Sequence, residues 1–293
     1  MSSSLRRTFK QSLEEELKEL LPFIFQRRFV IFIGAGISKK AGCYDWDSIL
    51  KEILKLPSLR EKSFEELKKS GESPRILIEF CYRKLDEEDK KSFWKILKKA
   101  IRPKPHRVIR EYIPFVEKIR DIKPPPPIVT TNVDSCLEDS GVFEDYDCYY
   151  KLEDMKIEHL RNSKCILHIH GYREDFEHSL LVPWNYKLRY EKSSFRKFVK
   201  KMFSEYAILF LGYSFRDDDL KRLSIEAARE KSGDIKHFLL VSEEDEFSKS
   251  KREIFLEMCK MKVINYGSVD EFDGLFGNWV KNNFKKSWKI KKE

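Results

Sequence analysis

A run of five apolar residues, Phe29 to Ile33, stops abruptly at a glycine-rich turn, Gly34-Ala35-Gly36. An apolar run of this length, rich in aromatic and β-branched side chains, is typical of a strand covered on both faces in a parallel sheet. Further short runs follow, and helical patterns separate several of them. The predicted strands span residues 29–33, 128–131, 165–169, 179–182, 207–211, 237–241 and 261–264. This alternation predicts an α/β fold with a doubly wound, mostly parallel sheet.

The chain between the first two predicted strands has helical periodicity and no convincing strand. We therefore predict one Rossmann-like domain over residues 1–293, with a helical insertion that caps a cleft. A helix over residues 9–27 leads in, and residues 194–204, 217–231 and 248–258 have helical patterns. The predicted parts are a core of residues 28–45 and 120–270, an insertion of residues 46–119, and a C-terminal helix with a basic tail over residues 271–293.

Composition excludes several classes of protein. Hydrophobic residues make up 41% of the chain and aromatic residues 13%, which excludes wholesale disorder. No apolar window is long enough to span a membrane and no signal peptide begins the chain, so we expect a cytoplasmic protein. Residues 281–293 hold six lysines and one glutamate, which is more than half of the net charge of +9. This tail is either a solvated helix end or a contact for nucleic acid or an acidic partner.

Six cysteines are spread along the chain without a C-x-x-C pair, the spacing that a zinc ribbon or a redox dithiol requires. We expect reduced, mostly buried thiols, no zinc ribbon and no metal.

Polar or glycine-rich residues follow four of the predicted strands. In a parallel sheet, ligands bind outside the carboxyl ends of the strands, where these four segments would converge. We therefore predict a nucleotide site built from all four. The segments are Gly34-Ala35-Gly36-Ile37-Ser38, Thr130-Thr131-Asn132-Val133-Asp134, His168-Ile169-His170-Gly171 and Gly212-Tyr213-Ser214-Phe215-Arg216-Asp217.

The glycine turn allows two interpretations. Gly34 and Gly36 permit a close approach of backbone to a pyrophosphate, with amide groups at the next helix N-terminus holding its charge. The alternative is a purely structural turn, because the sequence completes neither G-x-G-x-x-G nor a P-loop.

Asn132, Asp134 and His170 are the candidate catalytic residues. Asn132 and Asp134 would face the same way in extended chain, where they are suited to hold a ribose, a carboxamide or an attacking water. The alternative for them is an Asx turn or N-cap before a helix at residues 135–139. His168 and His170 would share one strand face; we assign His170 as general base and His168 as a buried structural histidine. The pair could instead bind a metal, but no third ligand stands at a recognisable spacing.

The four segments, in this order, resemble those of a sirtuin-like domain over roughly residues 28 to 220. Protein-deacylating sirtuins carry a zinc ribbon and a G-I-P-D-F-R segment, whereas here Gly42 is followed by Cys43-Tyr44-Asp45-Trp46 and no C-x-x-C is present. The chain therefore looks like the zinc-less prokaryotic branch, whose members hydrolyse NAD to nicotinamide and ADP-ribose, commonly in antiphage defence. That resemblance implies a homo-oligomer and a partner such as a DNA-translocating ATPase or an Argonaute.

The resemblance also implies roles for individual residues. His170 would be the base, Asn132 would position the water, and Asp134 would orient the ribose or stabilise the oxocarbenium. NAD would be the substrate, and its binding residues would be Gly34, Ala35, Gly36, Ser38, Asp47, Thr131, Gly212 and Ser214. Asp217, Asp218 and Asp219 are expected to cap the helix that they open.

Three alternative functions stay open: a non-catalytic module that binds NAD or ADP-ribose, an NAD-dependent protein deacylase, and a nucleic-acid binder. The hydrolase hypothesis requires that the segments carrying Gly36, Asn132, Asp134 and His170 meet around one cleft. It also requires that the imidazole of His170 be accessible there and within reach of the backbone pocket at Gly36.

Overall fold

A seven-stranded, all-parallel sheet forms the centre of the computed structural model, which describes residues 13–230, 236–242 and 248–285. The strand order is β3-β4-β2-β1-β5-β6-β7. The predicted α/β, doubly wound sheet is confirmed. The strands are β1 Phe29–Ile33, β2 Ile128–Thr130, β3 Asp147–Tyr149, β4 Cys165–His168, β5 Ala207–Leu211, β6 His237–Val241 and β7 Met261–Asn265.

Helices connect and flank these strands. Residues 13–18 are also helical, and a π-helical segment, Val108–Tyr112, joins α7 to α8. The labelled helices are α1 Leu21–Phe25, α2 Ala35–Ser38, α3 Trp46–Ile53, α4 Phe64–Lys69, α5 Pro74–Tyr82, α6 Glu87–Ala100, α7 Pro105–Arg107, α8 Ile113–Arg120, α9 Cys136–Asp139, α10 Ile157–Arg161, α11 Asn185–Tyr190, α12 Ser193–Glu205, α13 Asp218–Glu230, α14 Lys249–Cys259 and α15 Val269–Val280.

Both faces of the sheet are covered, which explains why β1 is apolar at every position. Its odd-numbered residues join a core cluster that includes side chains of α8 and α15. Val30 and Phe32 join a second cluster with side chains of α12, α13 and α14. Because successive side chains in a strand point to opposite faces, an apolar run without alternation is what a two-sided layer requires.

Helices between β1 and β2 pack around a third hydrophobic cluster. Side chains of α3, α5 and α6 pack there, and they are joined by Leu181 and Val182 from the segment after β4. Helix α8 packs instead in the first cluster, against the sheet and α15. In the part of the chain that is described, no helix has both the length and the apolar character needed to cross a membrane.

The structure differs from the predicted strands in two places: one predicted strand is absent, and one edge strand was not predicted. Residues 179–182 form turns, in which Leu180 N donates to His170 O and Val182 N to Ser179 O, and their apolar side chains are buried in the hydrophobic clusters. A short run of buried apolar residues therefore resembles a strand in sequence, although its backbone pairs with no strand of the sheet. The edge strand β3 was not predicted, because Asp147 and Cys148 are exposed and lack the apolar signal of a covered strand.

The prediction of mostly buried thiols is confirmed, since Cys148 is exposed and the other five cysteines are buried. Residues 286–293 of the predicted basic tail lie outside the described residues. Phe284, at the start of that tail, is buried in the first core cluster and packs on Trp279.

Candidate functional site

The strand register brings the four predicted segments to one edge of the sheet. Ile33 of β1 is level with Thr130 of β2 and Leu211 of β5, and Thr130 is level with His168 of β4. The chain therefore leaves four neighbouring strands at the same height. The strand order also changes direction between β1 and β5, which is where open α/β sheets bind ligands.

The glycine turn packs backbone to backbone on the loop after β5. Gly36 N donates to Gly212 O at 2.8 Å, and Gly34 N donates to Leu211 O at 2.9 Å. A Cβ on Gly34 would lie 2.5 Å from Gly212 O, which is closer than real Cβ contacts come. The close approach predicted for these glycines is thus to another part of the chain, and the amides of Gly34 and Gly36 are already bonded within the protein. This is the structural-turn interpretation; a phosphate contact by Ala35 or Ser38 stays a prediction.

Asn132 ties the second segment to the glycine turn. Its Nδ2 donates to Gly34 O at 3.0 Å and to Ser38 Oγ at 2.8 Å. The hydrogen bonds of the Asn132 side chain to the described residues are thus both made by Nδ2, and none is made by Oδ1.

Thr130 fixes the position of Asn132 and has no predicted role. The Thr130 hydroxyl donates to Ile33 O at 2.8 Å and accepts from Asn132 N at 2.9 Å. The feature of the sequence that could have indicated this role is the threonine at the end of an otherwise apolar strand.

Asp134 forms the Asx turn that was its alternative interpretation. Its Oδ1 accepts from Cys136 N at 3.0 Å, at the start of α9. Burial raises the pKa of Asp134, although hydrogen bonds from Cys136 and Ser38 oppose the shift. The carboxyl is held beneath the glycine turn.

His170 is buried, with 3% of its surface exposed. Its Nε2 lies 2.9 Å from Tyr190 Oη and 3.3 Å from Asp217 Oδ2, and the Tyr186 ring packs edge-on against it. The prediction of an accessible imidazole is wrong for this conformation, because β4 ends at His168 and helix α11 covers the turn that follows. His168 and His170 also do not share one strand face as predicted.

The hydrogen bonds of His170 therefore join it to α11 and to the segment before α13, and none goes to Asn132 or Asp134. Burial, assisted by the charge of Arg189, holds the pKa of His170 well below its ordinary value.

Asp217 has the capping role predicted for it and a second role beside His170. Its Oδ1 accepts from Leu220 N at 3.0 Å at the start of α13. Burial raises the pKa of Asp217 to about 6, and the nearby Asp219 adds to the shift while Arg75 and Tyr190 oppose it.

This carboxyl gives stability a pH dependence. The folded protein binds its proton more tightly than the unfolded chain, so the free energy of unfolding should fall as pH rises from about 4 to about 6. At about 1.4 kcal/mol per pKa unit, the full effect is on the order of 3 kcal/mol. In urea denaturation across this pH range, the fall in the free energy of unfolding should be absent from Asp217→Asn. It should persist in Asp218→Asn, a variant of an exposed neighbour. Parallel pH profiles for the parent and Asp217→Asn would contradict the assignment.

The other predicted binding residues are less closely joined. Ala35 and Thr131 are half-buried, and Ser214 is exposed. Asp47 lies 3.8 Å from Arg216 and 3.6 Å from Lys68 in ion pairs, so it links the insertion to the loop after β5 and not to the glycine turn.

His168 is buried as predicted, but it has two metal-ligating neighbours that spacing did not reveal. Its Nε2 lies 2.8 Å from Glu138 Oε1, and Cys148 Sγ lies 3.3 Å from that same oxygen. Burial lowers the pKa of His168, but Glu138 and Cys148 outweigh that effect and raise the pKa to about 10. Sequence spacing does not reveal this group, because the fold joins residues from α9, β3 and β4, and His170 is not part of it.

A groove of about 670 Å³ lies near these elements but outside the predicted site. Tyr150, Asn185 and Arg189 line it, and none of the predicted site residues does. Arg189 Nη1 donates to Ile169 O at 2.6 Å, next to His170, so this groove adjoins the helix that covers the imidazole.

Residues 126–264 match the family model of the SIR2-like domain. The matched range holds Asn132, Asp134, His170, Gly212 and Ser214, and it begins after the glycine turn. SIR2-like domains use NAD, so the match supports a sirtuin-like domain with an NAD-related function.

Proposed function

We propose that this protein hydrolyses NAD at the nicotinamide glycosidic bond and releases nicotinamide and ADP-ribose. The observation that carries the proposal is the register that brings the ends of β1, β2, β4 and β5 level at the switch in strand order. The match of residues 126–264 to the SIR2-like domain supports NAD as the ligand. NAD depletion in antiphage defence, a homo-oligomer and a partner such as a DNA-translocating ATPase or an Argonaute belong to this proposal through the sequence resemblance.

The residues at the edge of the sheet suit the chemistry of this bond. Its cleavage passes through an oxocarbenium-like state, so the site must stabilise positive charge and deliver a nucleophile to the anomeric carbon. Asn132 Oδ1, to which no described residue donates a hydrogen bond, would accept one from water or a ribose hydroxyl. The Asp134 carboxyl interacts with Ser38, the residue to which Asn132 Nδ2 donates, and contributes negative charge when ionised.

His170 acts as the base only after α11 moves. Tyr186 and Tyr190 cover the imidazole, so the helix must separate from the end of β4 before a ribose reaches it. Asp217 Oδ2 lies 3.3 Å from the ring, where its carboxylate, when ionised, would stabilise the imidazolium that proton abstraction creates.

The burial of His170 favours a second candidate function. An imidazole held between Tyr190 and Asp217, together with an Asp134 bonded to the backbone, suits a module that binds NAD or ADP-ribose without turnover. Both candidates use the glycine turn and Asn132, and they differ in whether α11 opens.

The test is to incubate the purified protein with NAD and separate nicotinamide and ADP-ribose by chromatography, with a calorimetric titration of NAD in parallel. The hydrolase proposal predicts products, and Asn132→Ala should reduce their rate while Asn162→Ala, an exposed control, leaves it unchanged. Binding without products, with and without candidate activators, would favour the binding module. Absence of both would contradict both functions.

A further inference from the structure

The cluster at the start of α9 lies outside the residues used above, and it joins three elements. We propose that Glu138, Cys148 and His168 form a binding site for a divalent cation of the zinc class. The imidazole nitrogen, the carboxylate oxygen and the thiol sulfur lie within 4.8 Å of one another. Nitrogen, oxygen and sulfur ligands in this combination are those that Zn²⁺ takes in proteins.

The orientation of His168 is the first argument. Its Nδ1 lies 2.8 Å from the backbone carbonyl of Asn132, which can only accept, so Nδ1 carries a proton and donates. Its Nε2 lies 2.8 Å from Glu138 Oε1 in an ion pair, and it becomes the ligand atom when a cation displaces its proton. A histidine that donates its other ring N–H to a backbone carbonyl is the usual arrangement behind a metal-bound imidazole.

The spacing of the ligand atoms is the second argument. Ligands at zinc distances in a tetrahedral site lie roughly 3.3 to 3.8 Å apart. The observed Nε2 to Oε1 distance of 2.8 Å and Sγ to Oε1 distance of 3.3 Å need only small rotations to reach that range. The other carboxylate oxygen, Glu138 Oε2, is buried and has no hydrogen-bond partner in the described residues, so a cation bound by both oxygens would satisfy it.

Access is the third argument. Cys148 lies on the edge strand β3 and, like Glu138, is less buried than His168, so a cation would reach the cluster from the side of these two residues. Three protein ligands with an open fourth position are typical of sites that keep a bound water. Through His168, the cation would also hold the backbone of Asn132, so occupancy should stabilise the fold around the sheet edge.

A second cluster of ligating atoms serves as the internal control. Cys43, Asp134 and Cys136 also lie within 4.8 Å of one another, but all three are buried and the carboxyl already accepts the Cys136 amide. This cluster has no histidine and no exposed ligand, so we expect it to take no cation from solution.

The experiment uses Co²⁺ as a spectroscopic probe and Zn²⁺ as competitor on the full chain after treatment with a chelator. The parent protein should develop a saturable sulfur-to-cobalt charge-transfer absorption that one equivalent of Zn²⁺ removes. Cys148→Ser should abolish the absorption, and Glu138→Gln should weaken Co²⁺ binding at least about 100-fold, the upper end of the loss caused by an outer partner. Cys43→Ser should change neither, and Zn²⁺ should raise the melting temperature of the parent but not of Cys148→Ser.

Each contrary result overturns the site. Absence of a saturable absorption in the parent means that the cluster is only a His168–Glu138 ion pair. Parental binding by Cys148→Ser and Glu138→Gln, or its loss in Cys43→Ser, means that the cation lies elsewhere. Cys148 lies on the edge strand, so its serine variant should fold, and circular dichroism checks this. If the variant does not fold, the loss of Co²⁺ binding by Glu138→Gln still tests the site.

Discussion

His170→Ala is expected to reduce the rate of NAD hydrolysis by roughly 100- to 10,000-fold, which is the range that general-base assistance contributes. The Michaelis constant should stay within about threefold of the parent value, because the imidazole acts on the reacting atoms and not on the remote parts of the ligand. Steady-state kinetics with separated products, and a calorimetric titration with NAD, measure the two effects independently.

Burial of the imidazole demands controls for this result. His170→Ala leaves a cavity beside Tyr190, so its melting temperature should be measured, and His170→Gln should be compared because it retains a polar group there. His178→Ala is the matched control, since this histidine is exposed and pairs with Asp175 on the surface. Parental turnover by folded His170→Ala and His170→Gln would contradict the assignment of the base.

The sheet was predictable because its central strands are apolar at every position. Phe29–Ile33 and Ala207–Leu211 are buried on both faces, and such runs have one common explanation. The edge strand Asp147–Tyr149 was not predictable in this way. It lies at the edge of the sheet, and its first two residues are exposed. A three-residue strand with an aspartate and a cysteine on the surface has no hydrophobic pattern that distinguishes it from a loop.

The convergence of the site was predictable, but the environment of its side chains was not. Strand ends of a parallel sheet meet at one edge, so Asn132 reaches Gly34 as the topology requires. The burial of His170 depends on where α11 packs, and nothing within residues 168–171 encodes that contact. The Glu138–Cys148–His168 cluster depends likewise on pairing between β3 and β4, which spacing along the chain does not reveal.

Gly212→Ala is expected to destabilise the protein by about 3 kcal/mol or more. Gly212 has a φ of +61°, where a side chain costs about 1–2 kcal/mol. A Cβ there would also lie 2.6 Å from the backbone nitrogen of Ile37 and 3.0 Å from the carbonyl carbon of Gly36. Neither atom can move without separating the glycine turn from the loop after β5, so the hydrogen bond from Gly36 N to Gly212 O should be lost as well.

Gly274→Ala supplies the opposite expectation in the same protein. Gly274 lies inside α15, where an added Cβ would meet nothing within 4 Å, so alanine should stabilise the helix by about 0.5–1 kcal/mol. Urea denaturation of both variants at one pH measures the two changes with opposite signs. Equal, small effects would mean that the contact between the two glycine loops does not hold the edge of the sheet together. A large loss of unfolding free energy for Gly212→Ala alone would mean that the contact between the two glycine loops is needed for folding before any ligand binds. A loss of NAD turnover in a glycine variant would then be evidence about the phosphate contact only if that variant were as stable as the parent.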